Sequence, residues 1–344
     1  MVVGLVLAAY AVAIGLTGSA LVFREQIQAW EYPDLHRSAS IPISTTPDQV
    51  LAVVREAWPD GRPLTVTWPN QHSPYWMSYV LLKKGAREVF SDPASGKIIG
   101  DRDPSGGFNG WLARFHTNLL LGSSGRKLNG YGAWLLVVMS VSGTILWWPR
   151  KIVRPRLRAW PLHHATGIVA LPFIVILSIT GTYFIWSSDY VKAVSSVFER
   201  TSEPKARAVE GDLMSVAELA ERAYAVLPGR EIQRLAVVDS PTQAVRVTMR
   251  EGTPAEFHRV STVFLHPVTG DVLAVNPLSG RPAGDAILSW FSALHFGIFG
   301  GWPVRLLWFL LGLSLPVLSV SGCLLWWRRV VVPMRRKGRS RVAA

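Results

Sequence analysis

Four long apolar runs dominate the hydrophobic pattern of the chain, and they predict four membrane-spanning helices. The runs cover Met1–Phe23, Tyr131–Trp148, Ala165–Trp186 and Val304–Trp327. Each is long enough to cross the ~30 Å hydrocarbon core of a bilayer, which a helix rising ~1.5 Å per residue spans in about 20 residues. Arg305, at one edge, is the only charged residue in the four runs. Ion-coupled pumps and permeases need buried ionisable groups, so the pattern disfavours both classes.

The two long connections between these runs predict α+β modules, which we place at 24–107 and 187–286. Each begins with a short amphipathic helix behind a capping residue, Thr46–Trp58 in the first module and Ser215–Leu227 in the second. Strand-like segments follow: Thr65–Trp68, Trp76–Leu82 and Glu88–Phe90, then Leu235–Val238, Ala244–Met249 and Val260–Leu265. A Pro-x-Ser-Gly or Pro-x-Thr-Gly turn closes the last hairpin, and its glycine supplies the positive φ that such a turn needs.

The basic residues are concentrated beside the apolar runs, which sets the expected orientation. The chain carries 36 Lys and Arg against 23 Asp and Glu, a net charge of +13. Acid-free clusters occupy a loop at 149–164 and a tail at 328–344: Arg150, Lys151, Arg154, Arg156, Arg158, Arg328, Arg329, Arg335, Arg336, Lys337, Arg339 and Arg341. Basic residues flanking apolar spans mark the cytoplasmic side. We therefore expect cytoplasmic termini, external modules and, in a bacterium, an inner-membrane location, rather than nucleic-acid binding.

Sequence landmarks recur at fixed separations and predict an internal repeat of span, module and span. Gly4 and Thr17-Gly18 recur, with their spacing unchanged, at Gly167 and Thr180-Gly181. Landmarks around the second span recur at a second constant separation: Trp111, His116, Ser142-Gly143 and Trp147-Trp148 match Trp290, His295, Ser321-Gly322 and Trp326-Trp327. Two halves that cross the membrane in the same direction predict a parallel repeat with a pseudo-twofold axis along the membrane normal.

The first apolar run has a second interpretation, a cleaved signal peptide ending at Gly18, Ser19 and Ala20. The run is longer than a typical signal h-region, and no basic segment precedes it in this sequence. Its repeat partner in mid-chain is the stronger argument that the run is retained as a span.

Histidines near the ends of the apolar runs are the candidate metal ligands. One continuous helix from His116 to Trp148 would be ~48 Å long, so we expect the chain to break at Gly122–Gly125 and Asn129-Gly130. This places His116 and His295 on short interfacial helices at 108–121 and 287–299. At equivalent positions of the two halves, they can face each other as axial ligands of one metal centre. The alternative is that each is an interfacial histidine hydrated by water or lipid headgroups.

A second candidate ligand lies at the opposite membrane face. His163 and His164 open the third span and point ~100° apart on a helix, so at most one binds a given metal, and we favour His163. Paired imidazoles leave haem iron no open position, which suits electron transfer. The single cysteine, Cys323, excludes an intrachain disulfide, a Cys-rich zinc site, a four-Cys iron–sulfur cluster and covalent haem attachment. The small residues Gly143, Gly181, Ser321 and Gly322 are interpreted as helix-packing contacts that also leave room for a flat macrocycle.

The turn Asp92–Ile98 and the helix and strands before it resemble a PepSY domain. Two such modules, interleaved with four spans carrying Thr-Gly and Ser-Gly-x-x-x-Trp-Trp, resemble the PepSY-associated transmembrane family over essentially the whole chain. That family includes iron-regulated inner-membrane proteins, among them haem-containing reductases of ferric siderophores. In the family the first span begins with a histidine four residues before a glycine. The matching position here would precede Met1, so either the protein begins upstream of this sequence or its inner haem site is incomplete.

Two functions follow from the residues and the resemblance together. The first is a membrane helical bundle with two external α+β modules and two b-type haems, bound by His116, His295 and His163 with His164 nearby. It would pass electrons from a cytoplasmic or quinol donor to an external ferric siderophore, and a homo-oligomer is compatible with it. The second is a membrane-tethered PepSY protein that binds or regulates proteases, without haem and without enzymatic activity.

Overall fold

The computed structural model describes residues 2–36, 42–70, 73–147, 159–251 and 259–334, which form two compact units interleaved along the chain. The helical unit comprises Met1–Arg24, Trp111–Tyr190 and Phe291–Ala344. The sheet unit comprises Glu25–Gly110 and Val191–Trp290. Trp148, the basic residues of the 149–164 loop and those of the tail beyond 334 lie outside the described residues.

Within the described residues the chain forms ten α-helices and eight β-strands. The helices are α1 (Val2–Leu21), α2 (Arg24–Glu31), α3 (Pro47–Ala57), α4 (Gly107–Asn118), α5 (Gly122–Trp147), α6 (Ala159–Tyr183), α7 (Ser187–Ser195), α8 (Val216–Val226), α9 (Ala283–Phe296) and α10 (Gly301–Trp326). The strands are β1 (Arg62–Thr67), β2 (Trp76–Leu81), β3 (Ala86–Ser91), β4 (Ile98–Arg102), β5 (Glu231–Ala236), β6 (Val245–Arg250), β7 (Val260–Leu265) and β8 (Val272–Asn276).

Four helices are long and apolar enough to cross a membrane, which confirms the four predicted spans. They are α1, α5, α6 and α10, with candidate spans Gly4–Leu21, Gly122–Leu146, Trp160–Tyr183 and Gly301–Met334. The predicted start of the second span at Tyr131 is wrong, because α5 begins at Gly122 and continues through Asn129 and Gly130. A glycine inside a helix costs only ~1 kcal/mol, and a span in lipid must keep its backbone hydrogen bonds within the helix.

Small residues bring α1 and α10 into close contact. A Cβ at Gly15 would lie 2.7 Å from the Gly312 carbonyl oxygen, and a Cβ at Gly312 would overlap Ser19 Oγ. Ser19 Oγ also donates a hydrogen bond of 3.0 Å to the Phe309 carbonyl. Helices in lipid associate through close packing of small residues and through interhelical hydrogen bonds, and this crossing uses both.

All eight strands belong to one antiparallel sheet, in the order β4-β3-β2-β1-β5-β6-β7-β8. The sequence predicted two modules, but it did not predict that their strands form a continuous sheet. β1 pairs with β5, and Val66 lies opposite Leu235, the residue at the same position in the other strand. β1 and β5, the first strands of the two modules, therefore pair with each other, and a local twofold axis passes through the Val66–Leu235 pair.

Helices α3 and α8 cover one face of this sheet and bury a common apolar core. Both begin with the same capping box, in which Thr46 bonds reciprocally with Gln49 and Ser215 with Glu218. The Asp48 carboxylate additionally accepts hydrogen bonds of 2.8 Å from two backbone N–H groups at the start of α8. This carboxylate satisfies donors that the helix itself cannot, and it joins the two helices.

Two equivalent turns close the β3–β4 and β7–β8 hairpins with different side chains. Asp92 Oδ1 accepts backbone hydrogen bonds from Ala94 and Ser95, at 3.1 and 2.7 Å. In the second turn His266 Nδ1 accepts the corresponding bonds from Val268 and Thr269, both at 3.2 Å. His266 is therefore a turn residue, and its Nε2 donates to the Arg207 carbonyl at 2.8 Å.

The expected break between α4 and α5 lies at Leu119–Gly122, and Gly122, with φ of 61°, takes part in it, whereas Asn129 and Gly130 lie inside α5. Leu119 and Leu120 adopt left-handed backbone conformations, with φ of 54° and 59°. Asn118 supports the turn, because its side chain accepts a hydrogen bond from Leu120 N at 3.0 Å. Gly125 packs so closely here that a Cβ would overlap the Asn118 carbonyl oxygen. The left-handed conformation costs a residue with a side chain ~1–2 kcal/mol.

We expect Leu120→Gly to raise the thermal stability of the protein, because glycine adopts a positive φ without strain and the leucine is 44% exposed. The expected gain is ~0.5–1 kcal/mol. Leu121→Gly is the matched control: this leucine is 62% exposed but is not at a positive φ. Leu121→Gly should lower the unfolding temperature in detergent. Equal shifts of the unfolding temperature for both variants would contradict backbone strain at Leu120.

Candidate functional site

His116 and His295 come together in the helical unit and form what we call the paired-histidine site. Their ring centres lie 6.3 Å apart, with 46° between the ring planes. Two imidazoles on opposite sides of one metal ion have ring centres ~6.3 Å apart, because each metal–nitrogen bond is ~2 Å and each ring centre lies ~1.1 Å beyond its nitrogen. The distance between the rings therefore fits two ligands of a single metal ion.

The last turns of α4 and α9 carry the two histidines, and side chains from neighbouring spans hold both helix ends. Asn129 Nδ2 donates to the His116 carbonyl at 2.8 Å, and Trp308 Nε1 donates to the Leu294 carbonyl at 2.6 Å. These residues satisfy carbonyls that have no partner within their own helix. Asn129 and Trp308 are separated along the chain by the same number of positions as His116 and His295, and two different side chains thus cap the two helix ends.

A hydroxyl group on α1 fixes the tautomer of His116. Thr17 Oγ1 donates its proton to the Ala13 carbonyl at 2.7 Å, so the hydroxyl can only accept from the imidazole. His116 Nδ1 lies 3.1 Å from that oxygen and must therefore carry the ring proton. This arrangement leaves Nε2 as the nitrogen with the lone pair, the form in which histidine binds a metal.

The same contact recurs at His295, from α6. Thr180 Oγ1 donates to the Ile176 carbonyl at 2.7 Å and lies 3.1 Å from His295 Nδ1. The Leu177 carbonyl, which can only accept, lies 3.2 Å from the same nitrogen. His295 is therefore also protonated on Nδ1, and both rings present an unprotonated Nε2.

A glycine next to each threonine lets the ring lie directly on the helix. A Cβ at Gly18 would be 2.9 Å from His116 Cε1, and a Cβ at Gly181 would be 3.0 Å from His295 Cε1. The Thr-Gly pairs that recur in the sequence thus form two equivalent seats for imidazole rings. From the sequence, Gly181 was interpreted as a helix-packing contact that leaves room for a flat macrocycle, and the recurring Thr17, Gly18 and Thr180 had no assigned role.

Burial keeps both imidazoles in the neutral form. It lowers the pKa of His116 to about 4. Burial also lowers the pKa of His295 to about 3, and the neighbouring His116 adds to the effect. Both rings are therefore uncharged near pH 7, as ligation by a nitrogen lone pair requires.

A large cavity lies at the other end of the helical unit, where α6 begins and α10 ends. It has a volume of about 920 Å³ and is lined by residues of all four spans. Each span contributes one glycine to the wall: Gly4, Gly143, Gly167 and Gly322. The volume is in the range of pockets that enclose cofactor-sized ligands, and the lining is predominantly apolar. We call it the His163 cavity.

His163 lines this cavity and has the same surroundings as the paired histidines. Its Nδ1 lies 3.0 Å from Ser321 Oγ and 3.1 Å from the Leu318 carbonyl. Ser321 Oγ donates to the Val317 carbonyl at 2.6 Å, so it too can only accept from the ring. A Cβ at Gly322 would lie 3.3 Å from His163 Cε1. The Ser-Gly pair therefore seats His163 as the Thr-Gly pairs seat His116 and His295.

His164 also lines the cavity but is held differently. Its Nδ1 bonds to the Trp160 carbonyl of its own helix at 3.0 Å, and its ring lies 4.1 Å from the Trp160 ring. The fourth hydroxyl–glycine pair, Ser142-Gly143, carries no imidazole among the described residues. Ser142 Oγ donates to Met139 at 2.9 Å, and nothing described lies within 4 Å of a Cβ at Gly143. Likewise, no group of three or more His, Cys, Asp or Glu converges in the part of the chain that the structure describes.

We expect Gly18→Ala and Gly181→Ala each to destabilise the protein by ~1–3 kcal/mol, because the new methyl group would overlap an imidazole that cannot move freely. Gly4→Ala is the control, since nothing described lies within 4 Å of a Cβ there. That change should be neutral or stabilising by up to ~1 kcal/mol through helix propensity. Thermal unfolding in detergent measures the stability of all three variants. Equal shifts of the unfolding temperature would contradict the close contact of Gly18 and Gly181 with the imidazole rings.

Comparison with known proteins identifies the family of the chain. A search of curated proteins finds no match. A family model described as PepSY-associated TM region matches residues 1–329. The match includes all four spans, both groups of strands and the four candidate histidines. The chain therefore belongs to the PepSY-associated TM region family.

Proposed function

We propose that this protein is a b-type haem protein of the bacterial inner membrane that passes electrons outward to an external ferric complex. The paired-histidine site carries the proposal, because two neutral imidazoles lie 6.3 Å apart with both Nδ1 protons engaged. Haem, when bound, supplies reversible one-electron chemistry between Fe(III) and Fe(II). His116 and His295 would hold it from opposite sides, and Thr17 and Thr180 would keep each ring in the ligating tautomer.

The His163 cavity supports a second haem. His163 offers Nε2 from a ring fixed by Ser321, and the four glycines of the cavity wall leave flat space between the spans. The residues fit this group less completely than in the paired-histidine site, since one imidazole is seated there among the described residues. In the proposed topology the basic loop and tail are cytoplasmic, so the cavity would receive electrons from a cytoplasmic or quinol donor.

A ferric siderophore is the proposed acceptor. Oxygen-rich chelators bind hard Fe(III) far more tightly than Fe(II), so a single electron delivered to the chelate promotes iron release. The family resemblance supplies this substrate class. The sheet unit would then lie outside and offer a docking surface for the chelate, and the apolar spans would insulate the electron path from ions and water.

A redox difference spectrum of the purified protein, expressed with haem supplied, tests the proposal. We expect b-type bands with the sharp reduced-state signature of six-coordinate bis-histidine iron. A spectrum without these bands would refute the proposal. A protein without any chromophore would instead favour the non-enzymatic PepSY function. Reoxidation of the reduced protein by a ferric siderophore, followed in stopped flow, then tests the acceptor.

We expect His116→Ala and His295→Ala each to abolish the same haem, because either change removes an axial ligand. His163→Ala should affect a different haem, and His164→Ala should be nearly silent, because its ring is held only by its own helix. The haem-to-protein ratio and the midpoint potentials of the four variants measure this. Unequal losses for His116→Ala and His295→Ala would contradict the pairing.

The threonine hydroxyls should set the properties of that haem without being ligands. Thr17→Val or Thr180→Val removes an acceptor for the Nδ1 proton, so the imidazole becomes a weaker donor to iron. We expect a higher midpoint potential and about 10- to 100-fold weaker haem retention, whereas Thr17→Ser should resemble the wild type. A valine variant with unchanged potential and retention would show that the hydroxyl only packs.

A further inference from the structure

The helical unit has an unbalanced charge at the end where the paired-histidine site lies. Its three chain segments contain a single acidic residue, Asp189. The basic residues at that end are Arg24, Arg114, Arg126, Lys127 and Arg305. Cations beside hydrocarbon are costly unless anions or oriented carbonyls accompany them. The segments of this unit therefore supply one acidic side chain, while five basic side chains lie at this end.

Two of these cations occupy equivalent positions. Arg126 is the fifth residue of α5 and Arg305 is the fifth residue of α10. They are separated along the chain by the same number of positions as His116 and His295. Both lie within the candidate membrane spans, at the end of the helix that is nearer to the paired-histidine site.

Arg126 reaches towards one ligand of that site. Its guanidinium donates to the Phe184 carbonyl at the end of α6. The Phe184 ring in turn lies 5.4 Å, centre to centre, from the His295 ring. Three residues after Arg126, on the same face of α5, Asn129 donates to the His116 carbonyl. Arg126 is thus close to both ligand-bearing segments.

Arg305 lies at the corresponding place on α10, between residues that contact α1 and α9. Trp302 and Phe309, about one turn on either side of it, pack against Phe23 at the end of α1, at 5.5 and 5.4 Å between ring centres. Trp308, three residues after Arg305, donates to the Leu294 carbonyl next to His295. Each arginine is therefore one helical turn from the side chain that fixes a ligand-bearing helix.

We propose that Arg126 and Arg305 bind the two propionate carboxylates of the haem held by His116 and His295, an inference that rests on the proposed function. The two propionates of a b-type haem are related by an approximate twofold axis of the porphyrin, and the two arginines occupy repeat-equivalent positions. Arginine binds carboxylate with two parallel hydrogen bonds, and the propionates supply negative charge in which the helical unit is poor. For Arg126 the competing role is to cap the carbonyl end of α6, which needs no ligand.

The test compares Arg126→Gln, Arg305→Gln and the double variant with Lys127→Gln, which removes the same charge from the neighbouring position. Each arginine variant should lower the midpoint potential of the bis-histidine haem, because a nearby positive charge favours the reduced form. Transfer of haem to a scavenging globin should become about tenfold faster for each arginine removed, the effect of losing one charged hydrogen bond. Lys127→Gln should change both quantities much less.

Haem dimethyl ester, which has no free carboxylates, provides the second measurement. Reconstituted with this ester, wild type and arginine variants should release the porphyrin at the same rate. Two results would overturn the proposal and leave Arg126 as a helix cap. In the first, the arginine variants release natural haem at the wild-type rate. In the second, they release the ester faster than the wild type by the same factor as natural haem. A variant that fails to fold is replaced by Arg126→Lys, which keeps the charge but loses the paired hydrogen bonds. A wild type without any haem would instead refute the proposed function.

Discussion

A hydrogen bond from imidazole Nδ1 to a hydroxyl recurs at three places in the helical unit, and the rest of the candidate site depends on it. In a span, a threonine or serine hydroxyl bonds to a carbonyl one turn earlier, because lipid offers its proton no other partner. Thr17, Thr180 and Ser321 all do this. The hydroxyl oxygen can then only accept from the ring, so each span selects the imidazole tautomer in which Nε2 carries the lone pair.

The glycine after each hydroxyl residue adds the geometric half of the constraint. Without a side chain at Gly18, Gly181 or Gly322, the ring lies against the helix within van der Waals distance. The hydroxyl determines the tautomer of the imidazole, and the glycine determines the position of the ring. A hydroxyl residue and a glycine thus orient each ring, and backbone carbonyls also lie within hydrogen-bond distance of Nδ1 at His295 and His163. Because no ionised group is involved, the arrangement is compatible with an apolar bundle.

Much of this organisation could be predicted from the sequence, because it depends on local or periodic signals. Span positions follow from hydropathy, and the pairing of His116 with His295 follows from the constant separation that these histidines share with the landmarks around them. The single sheet could not be predicted, because the β1–β5 contact joins strands from opposite halves of the chain and has no local signal. The break at Gly122 could be predicted, but the positive φ of Leu119 and Leu120 could not, because leucine normally avoids that conformation. The hydroxyl–glycine pairs could be recognised in the sequence only as recurring pairs, because their role depends on which imidazole ring contacts them in the folded protein.

The pairing of β1 with β5 covers a strand edge that would otherwise be exposed. An exposed strand edge is a hazard in any isolated sheet, because it can pair with another chain. A polypeptide with one half of this sequence would expose the edge of β1, and that edge is complementary to itself, since Val66 meets its own counterpart. Two such polypeptides would associate as an isologous dimer with the same twofold axis. A chain that carries both strands makes this pairing within one molecule and covers the edge, while its two turns can differ in detail, as Asp92 and His266 illustrate.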